Sequence, residues 1–204
     1  MNKGRLEAFS DGVLAIVITI MVLELKAPHE TEFSVLMQLL PIFLSYVLSF
    51  VYVGIYWNNH HHLLHTIKNV SGSILWANLH LLFWLSLIPF VTAWMGENHF
   101  APAPMALYGT ILLFSALAYS ILQSIIMKRH GKESMLSKAI GKDLKGKLSI
   151  ILYLIAIPSA FLNQWIAGGI YVFVALMWLI PDKRIENTFG NKEEQSRVSE
   201  NLTN

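Results

Sequence analysis

Residues 5–24 read RLEAFSDGVLAIVITIMVLE. Between Asp11 and Glu24 the segment carries no charge, and Thr19 is its only hydroxyl. An amphipathic soluble helix keeps one charged face, whereas a run apolar all round is a buried or membrane-spanning helix. Lys3 and Arg5 ahead of the run resemble the start of a signal peptide. Asp11 interrupts it, however, and Leu25-Lys26-Ala27 is a poor small-x-small cleavage site, so a retained helix is expected.

The rest of the chain supports a lipid setting. Of 204 residues, 54% are hydrophobic and only 14% charged, and the mean hydropathy is +0.50. Soluble domains carry roughly 25% charged residues, and a chain this short cannot hide so much apolar surface in one core. The absence of cysteine excludes disulfides and thiolate metal sites. A net charge of +2 gives no footprint for nucleic acid.

Six apolar segments can be drawn, at 8–25, 35–57, 74–95, 105–127, 148–163 and 166–181. The first four reach the about 20 residues a spanning helix needs. The last two are short, separated by Gln164 and Trp165, and read as a tight hairpin in which Gly168 and Gly169 allow close packing. A single bent segment is the alternative there. Pro41, Pro89 and Pro158 can kink the helices that hold them. Residues 183–204 are a polar tail, expected to be disordered. The fold class expected is an all-α integral membrane protein with six transmembrane helices.

Lysine and arginine set the orientation. With six spans, all of the 15 except Lys26 fall on one side: at the N-terminus, in the 58–73 loop, in the basic 128–147 linker and in the tail. An odd number of spans cannot produce that split, so both termini are expected in the cytosol, with the cell inner membrane as the location. Trp57, Trp76, Trp94 and Trp165 lie near the helix ends, where interfacial aromatics belong.

Within the first segment, Ser10 and Asp11 can be read as a helix N-cap. Helical geometry adds a second reading. At about 100° per residue, Ile16, Thr19, Ile20 and Leu23 share one stripe, and Asp11 points away from it toward another helix, where it needs a partner. Such a stripe is usually a lipid or packing face.

The motif itself is more specific. Arg5, then Phe9-Ser10-Asp11, Gly12-Val13, Ala15-Ile16, Thr19 and Leu23-Glu24 resemble the signature of the endosomal and lysosomal potassium channel family called transmembrane protein 175. Trp57-Asn58-Asn59-His60-His61-His62, Asn78-Leu79-His80-Leu81 and Pro89-Phe90-Val91-Thr92 agree, and the resemblance runs to about residue 182. It implies a homotetramer around the first helix, without the pore loop of ordinary potassium channels. No Thr-Val-Gly-Tyr-Gly segment occurs here. It also implies a potassium-favouring cation pore, narrowed by a gate ring of Ile16, Ile20 and Leu23 with Thr19 facing the ions. Arg5, Phe9, Ser10 and Asp11, with His60, His61, His62 and Asn78, are expected to form a structural lock beneath the pore. Potassium is the permeant ion, no cofactor is implied, and the partners expected are further copies of the chain and lipid.

His61 and His65 also have zinc-ligand spacing, i and i+4. Of the other histidines only His80 is a candidate third ligand, and nothing in the sequence ties it to the pair. Hydrogen-bonded interfacial histidines are therefore expected, and no metal. The alternative function is a metal-ion or proton transporter using the His60–His65 cluster. An enzyme is not expected, because no nucleophile–base pair or phosphate loop is evident.

Overall fold

The computed structural model describes residues 2–67, 69–130 and 143–179. Residues 131–142 of the basic linker, the end of the sixth segment and the 183–204 tail lie outside the described residues.

Helix α1 spans Lys3–Leu23. It starts earlier than the apolar run because Asn2 caps it, its side-chain oxygen accepting from the Gly4 N–H at 3.1 Å. Ser10 and Asp11 therefore sit about two turns inside the helix, and the N-cap reading of these residues is corrected. A short helix α2, Phe33–Gln38, leads into α3, Leu40–His65. Pro41 falls in the first turn of α3, where its missing N–H costs nothing. The helix continues eight residues beyond the apolar segment that ends at 57, so His60, His61, His62 and His65 are all helical.

Helices α4, Gly72–Ser86, and α5, Ile88–Glu97, form one apolar stretch broken at Leu87, just ahead of Pro89. The reversal after α5 uses left-handed backbone at His99 (φ 50°) and Phe100 (φ 60°). Helix α6 spans Pro102–His130. Helix α7, Leu144–Leu162, is capped by Asp143 and contains Pro158. One extended residue, Asn163, separates it from α8, Gln164–Leu179. Among the described residues, five helical stretches are long and apolar enough to cross a membrane, and α8 is shorter. The chain is a multi-pass, all-helical membrane protein.

Helix α1 packs on α3, α4 and α5, while α6 packs on α4, α5, α7 and α8. Tyrosines join these groups. The Tyr52 hydroxyl donates to the Tyr171 carbonyl at 2.7 Å, and the Tyr171 hydroxyl donates to the Met105 carbonyl at 2.9 Å. Gly109 on α6 makes room for Tyr171, whose Cζ would lie 2.9 Å from a Cβ there. Of the Gly168-Gly169 pair, only Gly168 makes a close approach, and it makes it to α6. A Cβ on Gly168 would face the Met105 side chain on α6 at 3.3 Å, and one on Gly169 would meet nothing. A cavity of about 30 Å³ among Tyr52, Tyr56, Asn59, Tyr119, Tyr153 and Trp178 has room for a water or two, too little for a hydrated ion.

Candidate functional site

The two faces of α1 differ sharply. Leu6, Ser10, Leu14, Val17 and Met21 recur at helical spacing and are buried against α3, α4 and α5. The opposite face is uncovered: Ile16 is 60% exposed, Ile20 43% and Leu23 71%, against 2% for Val17 and Met21. Thr19 lies among the uncovered residues, and its hydroxyl donates to the Ala15 carbonyl at 2.8 Å. That bond occupies the hydroxyl proton on the helix's own backbone and leaves oxygen lone pairs to face outward. The stripe is apolar, with one acceptor oxygen per chain, and a bound cation can use such an oxygen.

What holds the helix from behind is a buried polar chain. The His60 imidazole meets Asn78 Oδ1 through Nε2 at 2.6 Å. Asn78 Nδ2 donates to Ser10 Oγ at 2.9 Å, and Ser10 Oγ donates to the Leu6 carbonyl at 2.9 Å. Because Asn78 Oδ1 can only accept, this arrangement selects the His60 tautomer protonated at Nε2. Ser10 and Asn78 are fully buried and His60 nearly so. The chain ties α1 to α4 and α4 to α3, with each buried polar atom paired, which low-dielectric surroundings require.

The expected lock is thus divided. Ser10, His60 and Asn78 come together. Asp11 stands apart on the exposed side, where its carboxylate accepts from Trp57 Nε1 at 3.0 Å. Arg5 is exposed, and among the described residues its side chain forms no hydrogen bond or ion pair. Phe9 is half exposed, at 52%. His61 and His62 do not join the Asn78 chain; they lie with His65 on the outer part of α3. The sequence reading missed Trp57, which it treated as an interfacial anchor, although an indole N–H at a wet boundary also seeks an acceptor. It also missed Lys3, whose Nζ donates to the His65 carbonyl at 3.1 Å and lies 3.6 Å from Glu7.

The transporter alternative loses His60 and the candidate third ligand His80 to other partners. His60 is committed to Asn78, and His80 accepts from Trp84 Nε1 at 3.0 Å. Among the described residues, no group of three or more His, Asp or Glu side chains is placed to hold a metal ion.

Comparison with known proteins places this arrangement. The model of the family "Endosomal/lysosomal potassium channel TMEM175" matches residues 5–89, which include the α1 motif, His60 and Asn78. A potassium channel of Chryseobacterium sp. is 59% identical over 188 residues, covering 92% of this chain and 98% of that protein. The crystal structure of a lysosomal potassium-selective channel TMEM175 homolog from Chamaesiphon minutus superposes with a TM-score of 0.74 at 28% identity, covering 88% of this chain and 97% of that one. The endosomal/lysosomal proton channel TMEM175 of Homo sapiens is 38% identical over 96 residues, 41% of this chain and 19% of that protein. On the motif, the coverage and the shared fold, the chain belongs to the endosomal/lysosomal potassium channel TMEM175 family.

Proposed function

We propose that the chain forms a potassium-favouring cation channel, a homotetramer whose four α1 helices line the ion path, and that it is not an enzyme. The observation that carries this reading is the uncovered apolar stripe Ile16, Ile20 and Leu23 on a helix whose other face is fixed by the Ser10–Asn78–His60 chain. Tyrosine rings pair closely inside the helical bundle, which favours a path between chains over one through a chain. Four copies of the stripe about an axis give rings of Ile and Leu with a ring of Thr19 oxygens between them. An apolar ring closes by shedding water, because a cation there loses hydration and gains no replacement ligand, and a modest widening rewets it. Potassium permeation is supported by the naming of the Chryseobacterium and Chamaesiphon relatives. The charge distribution supports a cell inner membrane location with both termini cytosolic, and the outer faces of the bundle, rich in Phe, Leu and Ile, suit lipid.

The chain has no cysteine, so single thiols can be introduced on a silent background. With Ile20→Cys, oxidation is expected to yield crosslinked chains, and a charged thiol reagent should block potassium flux into liposomes. Val17→Cys, on the buried face, should do neither. Crosslinking and block at residue 17 with neither at residue 20 would overturn the assignment.

A further inference from the structure

The eight histidines of the chain are not equivalent. His60 and His80 have side-chain partners, Asn78 and Trp84. The rings of His61, His62 and His65, in contrast, make ring contacts but no side-chain hydrogen bond among the described residues. The His61 and His65 rings meet edge to face, with centroids 4.4 Å apart. One turn apart on a helix is the spacing at which two imidazoles reach a single ion. His65 is exposed and His61 partly so, so the pair stands at the surface of α3.

We propose that His61 and His65 bind one transition-metal ion and that the bound ion restrains α1. Imidazole nitrogen suits zinc, copper and nickel, whereas calcium and magnesium take oxygen ligands. The link to α1 lies in what else this face of α3 carries. Trp57, His61 and His65 stand at successive turns of one helix face. The Trp57 ring stacks on His61 at 5.9 Å and holds Asp11 of α1 through its N–H. At the other end the His65 carbonyl accepts from Lys3 of α1. An ion fixing His61 and His65 therefore stiffens the strip of α3 to which α1 is tied at both ends. Nearby charges tolerate the ion: Lys3 is the close cation and is offset by Glu7, while the Asp11 carboxylate of α1 is held at Trp57, one turn before His61 on α3.

The test uses the full-length protein in lipid nanodiscs, titrated calorimetrically with zinc chloride. The result expected is saturable binding of one ion per chain, weakened roughly tenfold or more by His61→Ala and equally by His65→Ala, with His62→Ala close to the parent. Binding should weaken as pH falls through the imidazole range, because only neutral rings ligate, and calcium should not compete. Each variant is checked for unchanged assembly size, so that a misfolded protein is not scored. Equal affinity in the parent and the His61→Ala/His65→Ala double variant, or a loss as large in His62→Ala, overturns the site. The restraint on α1 rests on the channel reading and is read separately, as zinc slowing potassium flux in the parent and not in the double variant. Unchanged flux in a protein that binds the ion overturns the restraint. An absence of flux without any metal instead counts against the channel reading and leaves the calorimetric result standing.

Discussion

Ile16→Asn is expected to raise basal current about tenfold, equivalent to lowering the barrier by about 1.4 kcal/mol, and to weaken discrimination between potassium and sodium. Ile16 is 60% exposed on the uncovered face of α1, so the substitution disturbs little packing within the chain. Four amides in place of four isoleucines keep the constriction wet and offer oxygens to a passing cation of either kind. Thr19→Ala should shift selectivity more than open probability, since it removes an acceptor oxygen and leaves the apolar plug in place. The control has to be chosen with the burial pattern in view. Met21 is off the stripe but only 2% exposed, so changing it costs packing energy and confuses the comparison. Ile18, partly buried and off the stripe, is the better control. Current and reversal potential of each variant under mixed potassium and sodium gradients check this. An effect at Ile18 as large as that at Ile16 would remove the pore assignment from this face.

The second large effect is expected at Asn78. Asn78→Leu is nearly isosteric but removes both the acceptor of His60 and the donor to Ser10. Two buried polar groups lose a partner, at about 1–3 kcal/mol each. Ser10 retains its bond to the Leu6 carbonyl, whereas His60 loses the one side-chain partner described for it, so the loss falls mainly on the α3–α4 contact. The variant is expected to show a markedly lower thermal midpoint and a loosened assembly. Ser10→Ala, which removes one acceptor and leaves Asn78 bonded to His60, should cost less. The effects of Asn78→Leu and His60→Leu should not add, because both break the same bond. Thermal melts of the purified variants, alone and combined, check this, and full additivity would show that the two residues act separately.

The legible part of this molecule was whatever depends on composition and helical period. Charge sparsity and the one-sided lysine and arginine pattern mark a helical membrane protein in the sequence alone. The 100° spacing likewise grouped Ile16, Ile20 and Leu23 on one stripe, and the structure leaves all three uncovered while burying Val17 and Met21. Partner choice was not legible. Arg5 and Asp11 share a motif, which invites pairing them, yet their side chains leave α1 at different angles, and Asp11 finds the Trp57 indole on another helix. Which of four clustered histidines turns inward was also hidden. One residue is a 100° rotation on a helix, so His60 reaches Asn78 while its neighbour His61 cannot. The Gly168-Gly169 pair was legible only in part, because small residues permit close contact without specifying which helix makes it, and here Gly168 makes it with α6.

Purified protein reconstituted in liposomes and exposed to opposed potassium and sodium gradients gives the decisive reading through its reversal potential. A channel lined by the Ile16–Leu23 stripe, with Thr19 oxygens as its polar ring, should conduct passively and set that potential on the potassium side of zero. The preference should shrink in Thr19→Ala and in Ile16→Asn while the protein remains assembled. No conductance from assembled protein, or a potassium preference untouched by both substitutions, would show that ions do not pass along this face of α1.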